Sequence, residues 1–261
     1  MTQEQRFELI FHYLEKHVDL SVEDACDLCD ASPATIRRDF TQLVDQGRVK
    51  KTWGGITVRQ MATQASPIDQ LPPAYRQVVL RHEKQRIAQR AATEVNDGEV
   101  VMVGSGTTTM ELAPLLADRP IRIITNSLLF AHQLDQHRSQ KRGADVFLIG
   151  GMLLPDSGVL IGPRTNEELR EYYADRAFFS AGGVTPELVT CAHPLIAETE
   201  RTLMGQCRHV SLLVDHSKMG RREMMRLCRP DELHQFITDN HPDSKALCDA
   251  LTAQKIDCHY A

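Results

Sequence analysis

The stretch Gly104-Ser105-Gly106-Thr107-Thr108-Thr109 brings two glycines and four hydroxyls together directly after the apolar run Val100–Val103. Glycine allows a sharp turn and close approach of an anion to the backbone. Hydroxyls add donors, and a helix opening there adds free amides and a favourable dipole. Phosphate or carboxylate suits such a loop. It is not a nucleotide-triphosphate loop, which needs Gly-Lys-Ser/Thr at its end, and it lacks the third glycine of a dinucleotide fingerprint. A purely structural strand-to-helix turn is the other reading of the same residues. Further apolar runs end similarly: in Thr125-Asn126-Ser127, in Gly150-Gly151, in Gly182-Gly183 and in Asp215-His216-Ser217-Lys218. Open α/β sheets bind ligands at the carboxyl ends of their strands. The candidate ligand set is therefore Gly104, Ser105, Gly106, Thr107, Thr108, Thr125, Asn126, Ser127, Gly150, Gly151, Gly182, Gly183, Asp215 and Lys218. Glu198, Asp215 and Lys218 are also residue types for proton transfer.

A second chemistry lies near the N-terminus. On a helical wheel with Ile36, Phe40 and Leu43 inward, Ala34, Arg38 and Thr41 face outward, flanked by Thr35 and Arg37. An arginine's planar fork can donate two hydrogen bonds to a guanine edge or neutralise a backbone phosphate. Asp39 falls near the buried boundary, where it can orient an arginine. Cys26 and Cys29 form a CxxC pair with His12 and His17 nearby. Helical spacing puts both thiols on the apolar face with Val22, and no second ligand pair has metal-site spacing, so buried thiols are expected and no metal.

Those groups need elements to hold them. Phe7, Ile10, Phe11 and Leu14 recur with helical spacing, and Val22, Ala25, Cys26 and Cys29 do so after a capping Ser21. Ser32-Pro33 starts a third helix that runs to about Gln46, where Gly47 can end it. The segment RVKKTWGGITV then predicts two short strands about a Gly-Gly turn, a wing carrying Arg48, Lys50 and Lys51. The nucleic-acid candidates are Ser32, Ala34, Thr35, Arg37, Arg38, Thr41, Arg48, Lys50 and Lys51. Residues 60–73 contain three prolines and little periodicity, which marks a linker between a domain at 1–59 and one at 74–261. In the second domain, apolar runs at 100–103, 121–125, 146–149, 177–181 and 211–214 alternate with helical or polar segments, and an amphipathic helix is expected after Gly106. That alternation predicts a mainly parallel sheet covered by helices.

The length of 261 residues suits a small plus a medium domain. A net charge of −5 gives no global attraction to nucleic acid, so binding must come from a local cluster. Residues 1–59 hold eight Lys or Arg against ten Asp or Glu, and the bases concentrate at 37–38 and 48–51. Seven scattered cysteines without an export signal read as reduced thiols in the cytoplasm, with no membrane partner.

The string SPATIRRDFTQLVDQGRVKKTWGGI resembles the helix-turn-helix signature of the DeoR family of bacterial sugar-metabolism regulators. Resemblance continues through EKQRIAQRAA, the GTT at 106–108, TNS at 125–127, Gly150-Gly151, DRAFFSAGG at 175–183 and DHSKMG at 215–220. It implies a winged helix-turn-helix joined to an α/β domain similar in fold to ribose-5-phosphate isomerase and glucosamine-6-phosphate deaminase. By the same resemblance Ser105, Gly106, Thr107 and Thr108 hold phosphate, Asn126 and Ser127 meet sugar hydroxyls, and Lys218 supplies positive charge. The chain departs from the family at Trp53, Ile56, Gly104 and His216, where His, Ala, Asp and Ser are common. The implied function is a homo-oligomeric repressor of carbohydrate use that binds operator DNA under the control of a phosphorylated sugar, with no cofactor and no catalytic residue. The alternative is a sugar-phosphate isomerase or deaminase with an added DNA-binding module.

Overall fold

A computed structural model describes residues 2–17, 19–45, 49–52, 54–57, 77, 79–139, 143–155 and 157–261. The chain divides into two compact units, Met1–Leu80 and Arg81–Ala261. The proposed linker at 60–73, and Gly47, Arg48 and Trp53, lie outside the described residues.

In the first unit, helices α1 (Gln3–Lys16), α2 (Val22–Cys29) and α3 (Pro33–Asp45) surround a core that includes Ile10, Phe11, Leu14, Ala25, Cys29, Ile36, Phe40 and Leu43. The predicted inward faces are the observed ones. Ser21 caps α2 by accepting the Asp24 amide at 3.0 Å, and Ser32 accepts the Thr35 amide at 3.3 Å. The wing forms as expected from β2 (Lys50–Thr52) and β3 (Gly55–Thr57), and gains a strand the sequence reading lacks, β1 (Asp19–Ser21), in the order β1-β3-β2. Both turn glycines have a cause: Gly54 sits at φ +89°, and a Cβ on Gly55 would overlap the Leu20 carbonyl oxygen.

Asp39 orients an arginine, but not one on the outward face. Its buried carboxylate accepts from Arg6 Nε at 2.6 Å and Nη2 at 3.1 Å, and from Gln3 Nε2 at 2.9 Å, which ties α3 to α1. Cys29 is in the core and Cys26 at its rim, and burial pushes the Cys29 thiol up.

The second unit opens with α4 (Arg81–Ala92) and builds seven parallel strands: β4 (Val100–Val103), β5 (Arg122–Thr125), β6 (Asp145–Leu148), β9 (Ala174–Phe179), β12 (Cys207–Leu213), β14 (Gln235–Thr238) and β15 (Asp257–Tyr260). Their order is β15-β14-β12-β9-β4-β5-β6. The chain thus moves outward from β4 to β6, then returns to the other side of β4 and moves outward again. Side-chain alternation fills two layers. Val101, Val103, Ile123 and Phe178 pack beneath α4 and α7 (Leu128–His137), whereas Met102, Ile124 and Ala177 meet α8 (Pro163–Leu169) and α9 (Pro194–Gly205). Phe179, Leu212 and Phe236 meet α10 (Pro242–Thr252). A hairpin of β7 (Met152–Leu154) and β8 (Val159–Ile161), and an antiparallel sheet of β10 (Gly183–Val184), β11 (Val189–Cys191) and β13 (Met225–Cys228), are additions to the expected alternation.

One expected element is different. The single helix after Gly106 is two one-turn helices, α5 (Thr107–Met110) and α6 (Ala113–Leu116), with Pro114 at the start of the second. Proline removes one amide donor and clashes with the preceding turn, so the pattern cannot run through. The dipole at Thr107 is correspondingly short.

Arg6→Ala leaves the buried Asp39 carboxylate with fewer charged donors. It should destabilise the first unit by about 1.5–3 kcal/mol, read by urea denaturation followed through Trp53 fluorescence. Arg6→Lys should recover only part of this, because one ammonium cannot reproduce the two-atom contact.

Candidate anion site and nucleic-acid interface

The parallel sheet brings the candidate strand ends together. β6, β5, β4, β9 and β12 are consecutive neighbours, so Gly150, Thr125, Gly104, Gly182 and Asp215 begin loops on one edge of the sheet. The order reverses between β4 and β9, and side-by-side crossovers leaving in opposite directions open a crevice at such a point. The loop after β4 sits there. Gly106 adopts φ +141°, and a Cβ on it would lie 2.7 Å from Ser180 Cβ at the end of β9, so both the turn and the packing demand glycine. Thr109 Oγ1 stitches the loop closed by donating toward the carbonyls of Gly104 at 3.0 Å and Gly106 at 2.9 Å.

The sequence reading missed Glu200. This carboxyl on α9 is buried, and its Oε1 accepts both the Ser105 amide and the Ser105 hydroxyl at 2.7 Å. Its Oε2 is buried without a hydrogen-bond partner. Gly104 makes the approach possible, because a Cβ there would overlap Oε2. Burial pushes this acid up to about 7, against the opposing pull of the two Ser105 bonds. Sequence spacing gives no warning, since 95 residues separate Ser105 from Glu200.

Other candidates divide by what their polar atoms already do. Thr125 Oγ1 donates to the Val103 carbonyl at 2.7 Å and accepts the Ser127 amide, while Ser127 Oγ caps α7 through the Phe130 amide. Both are buried, and these bonds already commit their hydroxyls to the neighbouring backbone. Asn126 donates to the Leu160 carbonyl at 2.9 Å, but its buried Oδ1 has no partner. A Cβ on Gly151 would overlap Thr165, and one on Gly183 would overlap the Arg221 carbonyl, so each is a packing glycine. Gly150 accepts Thr165 Oγ1 through its carbonyl and Gly182 donates to the Thr190 carbonyl. Thr107 and Thr108 are buried in the first turn of α5.

At the end of β12, Asp215 caps a 3-10 turn through the Ser217 amide and hydroxyl, and its second oxygen is buried without a partner. Lys218 is buried in that turn. His216 Nδ1 lies 2.6 Å from Asp239 Oδ2 and its ring stacks on His241 with centroids 3.9 Å apart, which fixes the imidazole at the end of β14.

In the first unit Ser32, Ala34, Arg37, Arg38, Thr41, Lys50 and Lys51 are exposed and Thr35 is half-buried. Ser32 and Thr35 share a hydroxyl bond at 2.9 Å, and Thr41 donates to the Arg37 carbonyl at 2.8 Å, so these hydroxyls shape the helix. The two arginines and two lysines remain as exposed cations on α3 and β2. A helix face with bases at its N-terminal half, beside a basic strand, is the geometry that enters a major groove.

A family model for a DeoR-like helix-turn-helix domain matches residues 6–61, and one for a DeoR C-terminal sensor domain matches residues 80–240. The chain is 30% identical over 260 residues to the HTH-type transcriptional repressor GlcR of Bacillus subtilis, covering 98% of this chain and 96% of the relative. It is 30% identical over 249 residues to the transcriptional regulator UlaR of Shigella sonnei, covering 95% of each. Among solved structures, ribose 5-phosphate isomerase A of Methanocaldococcus jannaschii matches 52% of each chain at 19% identity and a TM-score of 0.37. Translation factor subunit eIF2B beta of Chaetomium thermophilum matches 90% of this chain and 85% of its own at 14% identity and 0.44.

A raised folded-state value for Glu200 means that, between the ordinary carboxylate value of 4.5 and about 7, the folded chain holds a proton the unfolded chain has lost. Stability therefore falls as pH rises across that window, by on the order of 3 kcal/mol at most. Circular-dichroism denaturation of the full chain at about pH 5 and pH 8 should show this loss in the parent and a reduced one in Glu200→Gln; equal slopes contradict it.

Proposed function

Because the chain belongs to the DeoR family of helix-turn-helix transcriptional regulators, we propose that it represses carbohydrate-utilisation genes and that a phosphorylated sugar in the β4–β9 crevice alters its grip on operator DNA. The observation that carries the reading is the pairing of a basic helix face in one unit with a glycine-hydroxyl loop at the strand-order reversal in the other. Loop amides and hydroxyls supply donors to a phosphate, and Lys218 supplies counter-charge. Asn126 Oδ1 and Asp215 Oδ2, both buried and unpartnered, are acceptors left for sugar hydroxyls. GlcR and UlaR are named as a repressor and a regulator, so the enzymatic alternative is set aside.

Repeated half-sites favour an oligomer. The exposed apolar side chains Phe147, Leu148, Met152 and Leu153, on β6 at one edge of the sheet and on β7, support self-association through the second unit. No helix among the described residues is long and apolar enough to cross a membrane, and we place the protein in the cytosol.

Arg38→Ala should weaken operator binding by roughly 1–3 kcal/mol, and Arg37→Ala should also weaken it. Gel shift with folded variants checks this, and parental affinity in both would reject the docking face. A thermal-shift panel of phosphorylated and free sugars tests the sensor unit, since a ligand of the native state raises its melting temperature. Lys218→Met should lose most of the response to the phosphorylated member while still binding operator without it; equal response to the free sugar would remove phosphate from the account.

A further inference from the structure

The loop assigned to phosphate is already occupied by an anion of the chain's own. Ser105 presents an amide and a hydroxyl, the two kinds of donor a phosphate oxygen needs, and Glu200 Oε1 takes both. A carboxyl in that place imitates the ligand: two oxygens, a negative charge when ionised, and hydrogen bonds to the same atoms. The fit is built into the sequence on both sides, because Gly104 lacks the Cβ that would overlap Oε2. That second oxygen is sealed from solvent and bonded to nothing.

The surroundings give the carboxyl no counter-ion among the described residues. From α8 come Asn166, bonded to Thr199, and the exposed Arg164, Glu167 and Glu168. From β11 comes the Cys191 thiol, which Glu200 helps to push up to about 11, after burial as the larger cause. On β13, Arg226 offers its carbonyl to Arg201 at 2.6 Å. β9 and β12 carry Asp175, Arg176, Cys207, Arg208 and His209 at their opposite, N-terminal ends, and β8 carries no charge. Lys218 answers the charge of the ligand, but nothing among the described residues is bonded to Oε2, so the ionised carboxylate still opposes a second negative charge brought into the loop.

We propose that Glu200 is an internal ligand of the 104–108 loop, so that a tetrahedral anion binds there only as this carboxyl takes up a proton. The inference rests on reading that loop as the phosphate site, and it adds that effector strength depends on pH. With the carboxyl ionised, an arriving dianion meets a like charge in a site of low dielectric. With it protonated, the repulsion is gone and Ser105 is held less tightly, which frees its donors. Glu200 is thus a positioning residue for the loop and sets the affinity of the site.

Inorganic sulfate is the probe, because it stays a dianion across the range and contributes no proton of its own. Its dissociation constant on the full chain is measured by calorimetry between about pH 6 and pH 9. In the parent it should rise by roughly an order of magnitude per unit above neutrality. In Glu200→Gln, which keeps an acceptor for Ser105 without the charge, it should be nearly flat and tighter than the parent at high pH. Ser105→Ala, which deletes one donor that favours the carboxylate, should move the onset of weakening to higher pH. A flat parent profile overturns the proposal while leaving the phosphate reading intact. Parallel steep profiles in the parent, Glu200→Gln and Ser105→Ala also overturn it, since the proton then belongs to a group other than Glu200. Absence of sulfate binding in all three at every pH overturns the anion-loop reading and this proposal with it.

Discussion

The reversal of strand order between β4 and β9 is the constraint on which the second unit depends. Parallel strands make every connection leave from the same, carboxyl edge, and at the reversal two connections leave in opposite directions, the arrangement that opens a gap between them. What enters the gap is then decided by sterics. A loop can lie across the end of β9 only if Gly106 is tolerated at positive φ against Ser180, and α9 can bring a carboxyl beneath it only because Gly104 has no side chain. Two absent methyl groups thus permit both the path of the loop and the carboxyl that lies against it.

The first unit meets a related demand by a different route. Its α3 must show cations to solvent on one face while burying an acid, Asp39, on the other. Pairing that acid with Arg6 of α1 rather than with Arg37 or Arg38 leaves the outward cations uncommitted by it. The buried pair fixes the angle of the helix and keeps the exposed arginines available. A buried ion pair is weak evidence of net stability, but removing either partner strands the other, so α3 is held to α1 at the one place where Asp39 meets Arg6.

Much of this is legible in the sequence where the signal is local. Ile36, Phe40 and Leu43 identify the inner face of α3 through periodicity, Ser21 and Ser32 announce caps, and Gly-Gly announces the wing. Glycine and hydroxyl residues after each apolar run identify the strand ends that the sheet gathers. What escapes depends on contacts distant in sequence. Glu200 reaches Ser105 across 95 residues, and β1 and β15 become strands by pairing with a neighbour, with little period of their own. Thr125 and Ser127 look like ligand groups by type, yet their hydroxyls serve the backbone next to them. A residue type shows which bonds a group can make, and only the fold shows which of them are already made.

Two sites on one chain amount to regulation only if occupancy of one changes the free energy of the other. The most direct test is an operator titration by fluorescence anisotropy at fixed salt, run on the full chain with and without a saturating phosphorylated sugar that raises its melting temperature. The account predicts operator dissociation constants that differ by about fivefold or more between the two conditions. Identical constants, with the sugar demonstrably bound, would contradict it.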